Sequence, residues 1–258
     1  MLSHRIFSII FFSVFFGIFY FVTSKTKADE VLIFAASSLT LPLQEIARFH
    51  NKPSENKVRF SFGASSTLAR QIVRGAPAHL YVSANQKWVN FLIKENLVDQ
   101  SCNKNLLSNE LALITSRHNT FKVNNLPEII NKVILSRGRL AVGNPSHVPL
   151  GIYTKQALQN LRLWTKLKSK MAPLPNARSV LAFIERDEAI AGIVYKSDTH
   201  LNKKIKIIYN FPIASHKKIT YFAAPTYSAR IKEVLEFCES LNSSRAKNIF
   251  KQYGFLVD

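Results

Sequence analysis

From residue 29 onward, apolar runs of strand length alternate with stretches whose apolar positions recur every three to four residues. "VLIFAA" reads as a buried strand. "LTLPLQEIARFHNK" follows as an amphipathic helix with Leu43, Ile46 and Ala47 on one face. "VRFSFG" is a second strand, and "TLARQIVRG" a helix stopped by Gly75. "HLYVSAN" and "QKWVNFLIKENL" repeat the pair, with Trp88, Phe91 and Leu92 facing inward. This alternation predicts a parallel sheet covered by helices on both faces. Further on, "ELALITS" and "RLAVGN" read as strands, "GIYTKQALQNLRLW" and "NARSVLAFIERDE" as helices, and "AGIVYKSD", "KIKIIYNFP" and "KITYFAAP" as strands. Terminal helices close the chain. The pattern predicts an α/β protein of two lobes with a cleft between them.

Residues 1–28 stand apart. A short basic start (His4, Arg5) precedes a phenylalanine-rich run from Ile6 to Val22 and a polar end closing on Thr26-Lys27-Ala28. This is the layout of an export signal cleaved near Ala28. An uncleaved anchor is the alternative, since the apolar run nearly reaches membrane-spanning length. No later stretch is apolar for long enough to span a bilayer.

Net charge is +19. Removing the signal's three basic residues lowers it to +16. The lysines are scattered, without interleaved aromatics or a helix-turn-helix, zinc or RNA motif, so nucleic acid is not an expected partner. The charge reads as a solvated basic surface that steers anions. Cys102 and Cys238 belong to no metal-spaced cluster; in an oxidising compartment they pair only if the fold brings them together. The seven histidines are dispersed, which disfavours a local metal site.

Candidate chemistry lies at the strand–helix junctions. "FAASSLT" and "FGASSTLARQI" each place two serines where a strand hands over to a helix. Helix amino ends expose unpaired N–H groups and partial positive charge, so several converging there make an anion site without Lys or Arg. The expectation is that Ser37-Ser38 and Ser65-Ser66 both cap their helices and offer a donor; plain caps are the bland alternative. In "VGNPSHVPLGIYTK", Pro149 suits the first helical position and leaves the Leu150 N–H free. In "LPNARSVL", Asn176 is the expected cap, leaving the Ala177 N–H free. Tyr195 ends a strand, where its hydroxyl either faces the cleft or sits satisfied in the core. Arg70 and Arg178 read as surface or interlobe residues rather than direct ligands.

"FAASSLT", "SFGASSTLARQIVRGAPA", "VSANQKW", "GNPSHVPLGIYTKQAL", "FIERDEAIAGIVYKSD" and "FKQYGF", in this order, resemble the periplasmic molybdate-binding proteins of molybdate ABC importers. The resemblance covers residues 29–258. It implies a type II periplasmic-binding-protein fold: two lobes, each a mostly parallel sheet flanked by helices, joined by a two-strand hinge. Residues 29–106 and 226–258 are expected to form lobe I, and 107–225 lobe II. It also implies an oxyanion-binding set of Ser38, Ser65, Leu150, Ala177 and Tyr195, donating through three hydroxyls and two backbone N–H groups. A molybdate or tungstate ligand, no cofactor, a membrane permease partner, a periplasmic location and a monomeric protein follow as expectations. Leu150 stands where the family usually has alanine, and Ala177 where valine is common.

Such a donor set suits molybdate or tungstate, which are fully deprotonated at neutral pH, better than phosphate, which carries a proton. Sulfate is separated only by size. The alternatives are another small anion on the same fold and, more distantly, a serine hydrolase. "GASST" resembles a nucleophile elbow, but Thr67 stands where its second glycine belongs.

Overall fold

The computed structural model describes residues 30–50, 58–98, 103–119, 125–227 and 231–257. The expected export signal over residues 1–28 and Cys102 lie outside the described residues. The chain runs β1 (Val31–Ala36), α1 (Thr40–His50), β2 (Val58–Gly63), α2 (Ser65–Val73), β3 (Leu80–Ser83), α3 (Gln86–Lys94) and β4 (Asn103–Asn109). It then runs β5 (Leu111–Ser116), α4 (Leu126–Leu135), β6 (Leu140–Gly143), α5 (Pro149–Asn160), α6 (Trp164–Leu167) and β7 (Met171–Leu174). Next come α7 (Ala177–Glu185), β8 (Ala191–Tyr195) and β9 (Ile205–Asn210), then β10 (Ile219–Pro225), α8 (Ile231–Asn242) and α9 (Ser244–Gln252).

Two five-stranded sheets form, ordered β2-β1-β3-β10-β4 and β7-β6-β8-β5-β9. In each, three strands pair in parallel and the next runs antiparallel to both neighbours. Four strands of each sheet therefore share a direction and one is reversed. The reversed strands, β5 and β10, are the first to enter each sheet after the chain crosses between lobes. A strand that enters from the cleft must run against strands whose carboxyl ends face the cleft.

Both faces of the central parallel strands β1, β3, β6 and β8 are buried, as parallel sheets require. On β1, Val31, Ile33 and Ala35 join the larger core, while Phe34 packs with Leu68, Ile72 and Trp88 in a second cluster. On β3, Leu80 and Val82 face one way and Tyr81 the other.

The lobe boundaries differ from those expected at 106/107 and 225/226. All of β4 and β10 belong to the first sheet, so the chain crosses at Glu110 and again between Asn210 and Ile219. β10 belongs to the first lobe because it pairs with β3 and β4, which are remote from it in sequence. β4 escaped the periodicity reading because "NKNLLSN" is mostly polar; its pairing with β10 and a Ser108–Leu256 bridge hold it. β7 escaped because it is short and contains Pro173, which a sheet accepts at its edge. Cys238 is buried on α8 and disulfide-bonded.

Candidate functional site

The carboxyl ends of β1, β2 and β3 face those of β6 and β8 across the cleft. There the five expected residues, Ser38, Ser65, Leu150, Ala177 and Tyr195, line one small pocket. Each is at most 8% exposed. The space open to the centre of a water-sized sphere is about 10 Å³. That is about the space of one water molecule, against the roughly 300–1,000 Å³ of sites for organic ligands. Among the described residues, no Lys, Arg, His, Asp or Glu lines it.

The serines do not cap, contrary to expectation. The cap positions are Ala36, before a 3-10 turn over Ser37–Leu39, and Ala64, before α2; neither has a side-chain cap hydrogen bond. A capping hydroxyl must sit just outside the helix to reach back to its first turn. These serines lie within the first turn, and their hydroxyls go elsewhere. Ser38 Oγ lies 2.8 Å from the Tyr221 hydroxyl. Ser65 Oγ accepts from the Ala84 N–H at 3.1 Å. Ser66 Oγ lies 2.8 Å from His147 Nδ1. With alanine caps, no capping side chain competes for the first N–H groups at the pocket.

In the second lobe, Pro149 opens α5 as expected, after Val148, which gives no side-chain cap. Leu150 is the second helical residue, where a helix supplies no acceptor for the N–H. Asn176 caps α7, its side chain accepting from the Ser179 N–H at 2.9 Å, and Ala177 is the first helical residue. The Tyr195 hydroxyl is buried without a hydrogen-bond partner among the described residues. Burial raises its pKa well above the ordinary phenol value, so it is a neutral donor.

Close backbone approach sets where the Leu150 N–H points. A Cβ on Gly143 would lie 2.8 Å from the Gly151 nitrogen, and one on Gly151 would overlap the Gly143 and Asn144 carbonyl oxygens. Gly151→Ala is therefore expected to push α5 off β6. It should cost about 1–3 kcal/mol of stability and weaken anion binding as Leu150 shifts. Denaturant titration and calorimetry on the purified variant check this; wild-type values for both would refute it.

The lobes touch on both sides of the pocket. On one, His147 meets Ser66, while its carbonyl accepts from Trp88 Nε1 at 3.0 Å. Arg70 comes within 3.4 Å of His147 Nδ1 and lies 5.4 Å over the Trp88 ring. Burial, then the Arg70 charge, lower the His147 pKa, so the imidazole is neutral at neutral pH. On the other side a cavity of about 430 Å³ adjoins Ser38, with Arg178, Lys203 and Lys204 in its wall. Asp198 also lines it; burial lifts its carboxyl to about 7 against the opposing pull of Arg178. Neither Arg70 nor Arg178 lines the small pocket.

Sequence reading missed Asn109, Tyr221 and His147. No local motif marks them, because each acts on a partner at least 77 residues away.

The profile of the bacterial extracellular solute-binding proteins matches residues 31–256. The molybdate-binding protein ModA of Escherichia coli K12 is 41% identical, covering 92% of this chain and 93% of that one. The molybdate-binding protein ModA of Haemophilus influenzae is 36% identical, covering 90% and 92%. Among solved structures, the periplasmic molybdate-binding protein of Azotobacter vinelandii superposes with a TM-score of 0.78 at 21% identity, covering 89% and 100%. The sulfate-binding protein SubI of Mycobacterium tuberculosis gives 0.74 at 14%, covering 89% and 88%. The expected two-lobed binding-protein fold is thus the fold found, and the chain belongs to the bacterial extracellular solute-binding proteins.

Proposed function

We propose that this chain captures molybdate or tungstate in the periplasm, as a monomer, and delivers it to the membrane permease of an ABC importer. One observation carries the reading. Two serine hydroxyls, two helix-start N–H groups and a phenol without a partner among the described residues line a single small pocket to which no charged side chain of those residues contributes. Ser38, Ser65, Leu150, Ala177 and Tyr195 are the donors. The printed names of the relatives support the choice of anion, and the disulfide-bonded Cys238 fits an oxidising compartment.

Neutral donors suffice energetically. Hydrogen bonds to a charged group contribute about 1.5–3 kcal/mol each, so five give about 8–15 kcal/mol before association and closure costs. Micromolar to nanomolar binding needs about 8–12 kcal/mol.

A hydrolase reading gains little from the Ser66–His147 pair. Ser66 is fully buried and outside the pocket lining, and Arg70 lowers rather than raises the basicity of His147. Competitive calorimetry with molybdate, tungstate, sulfate and phosphate tests the proposal. Molybdate and tungstate should bind tightly and raise the melting temperature, with sulfate much weaker. Equal affinity for all four would defeat it.

A further inference from the structure

A serine hydroxyl both donates and accepts, so a pocket containing two serines is not donor-only by residue type. What matters is where each hydrogen points. For Ser65 the backbone decides. Its Oγ accepts the Ala84 N–H, and an N–H cannot accept in return, so the Ser65 hydrogen goes to the pocket or to the neighbouring Tyr81 hydroxyl, whose own hydrogen is given to the Ser65 carbonyl.

For Ser38 the decision is made further back. Its Oγ lies 2.8 Å from the Tyr221 hydroxyl, and either oxygen is able to donate. The Tyr221 hydroxyl also lies 3.2 Å from Asn109 Nδ2. Asn109 ends β4, at the crossing between lobes. Its amide orientation is determined by its neighbours. Oδ1 accepts from the Glu110 N–H at 2.9 Å and the Ser197 N–H at 3.3 Å. Nδ2 therefore faces Tyr221 and, at 2.8 Å, Ser197 Oγ. An amide NH₂ only donates. Tyr221 thus receives from Asn109, and its own hydrogen has one acceptor in reach among the described residues, Ser38 Oγ. All three side chains are buried. The reverse polarity would strand a phenol hydrogen away from water, which is costly.

We propose that Asn109 and Tyr221 are positioning residues that lock Ser38 as a donor to the bound ion, so that the site rejects oxyanions carrying a proton. The proposal rests on the reading that the pocket holds a tetrahedral oxyanion through Ser38. Hydrogen phosphate has to set its hydrogen against a serine oxygen that already accepts from within the protein or against the Tyr195 hydroxyl, whose own hydrogen has no other acceptor among the described residues; molybdate presents no hydrogen to place.

The test measures dissociation constants for molybdate directly and for hydrogen phosphate by displacement of molybdate, in mildly alkaline buffer where both are dianions. Tyr221→Phe removes one hydroxyl and frees Ser38 Oγ to accept. Asn109→Asp replaces the donor with an acceptor, so that Tyr221 donates backwards and Ser38 donates to Tyr221. Its added charge acts on two dianions alike and cancels in their ratio. The preference for molybdate over hydrogen phosphate should fall about tenfold or more in both variants, the worth of one hydrogen bond. If Tyr221→Phe does not fold, Asn109→Asp decides alone. A merely structural role would weaken both anions by one factor, leaving the ratio at its wild-type value and overturning the inference. Wild-type protein that binds no oxyanion overturns the site reading itself, and this inference with it.

Discussion

Ala177→Pro is expected to lower molybdate affinity by more than about 100-fold while leaving a folded protein. Ala177 is the first residue of α7, the position where proline is best tolerated because its N–H has no helical acceptor. Asn176 before it is already extended, at φ −163° and ψ 175°, the conformation a following proline favours. The cap from Asn176 to the Ser179 N–H is untouched. What disappears is a single donor, and a hydrogen bond to an anion is worth about 1.5–3 kcal/mol, or roughly 10- to 150-fold. The proline ring carbon then stands where that hydrogen pointed, in a pocket of only about 10 Å³. Calorimetry with circular dichroism on the same sample decides: a folded variant of wild-type affinity removes Ala177 from the site.

Tyr195→Phe should show the opposite balance between affinity and stability. Its hydroxyl is buried with no partner among the described residues, so it contributes no hydrogen bond to the fold. Removing it is expected to cost affinity about 10- to 150-fold, again one hydrogen bond to a charged acceptor. The ligand-free variant should melt no lower than the wild type, because an unsatisfied buried donor is a liability of about 1–3 kcal/mol. Ligand-induced stabilisation should shrink accordingly, since it follows the ratio of ligand concentration to dissociation constant. A drop in ligand-free stability with affinity intact would mean that Tyr195 serves the core.

Legibility varied with the range of the interaction. The strands β1, β2, β3, β6 and β8, and the helices α1, α2, α3, α5 and α7, were readable because apolar periodicity, Pro149 and Asn176 act within a few residues of themselves. Ser38, Ser65, Leu150, Ala177 and Tyr195 were readable as positions for the same reason: each lies at a strand end or a helix start. The role given to the serines was wrong. A cap differs from a first-turn residue by one position, and the pattern around "AASS" and "GASS" does not resolve that difference. β4 was unreadable because its polar sequence becomes a strand only beside β10. The lobe boundaries slipped for the same cause.

By itself, the order of residues determined the two-lobed α/β architecture and which residues reach the pocket, since these follow from local propensity and from strands that end where helices begin. The tertiary structure alone decided the polarity of the site. Ser38 is held from Tyr221 and Asn109, and Ser65 from Ala84. A hydroxyl's direction is set by whatever donor the fold brings within about 3 Å, and no local pattern encodes which residue that will be.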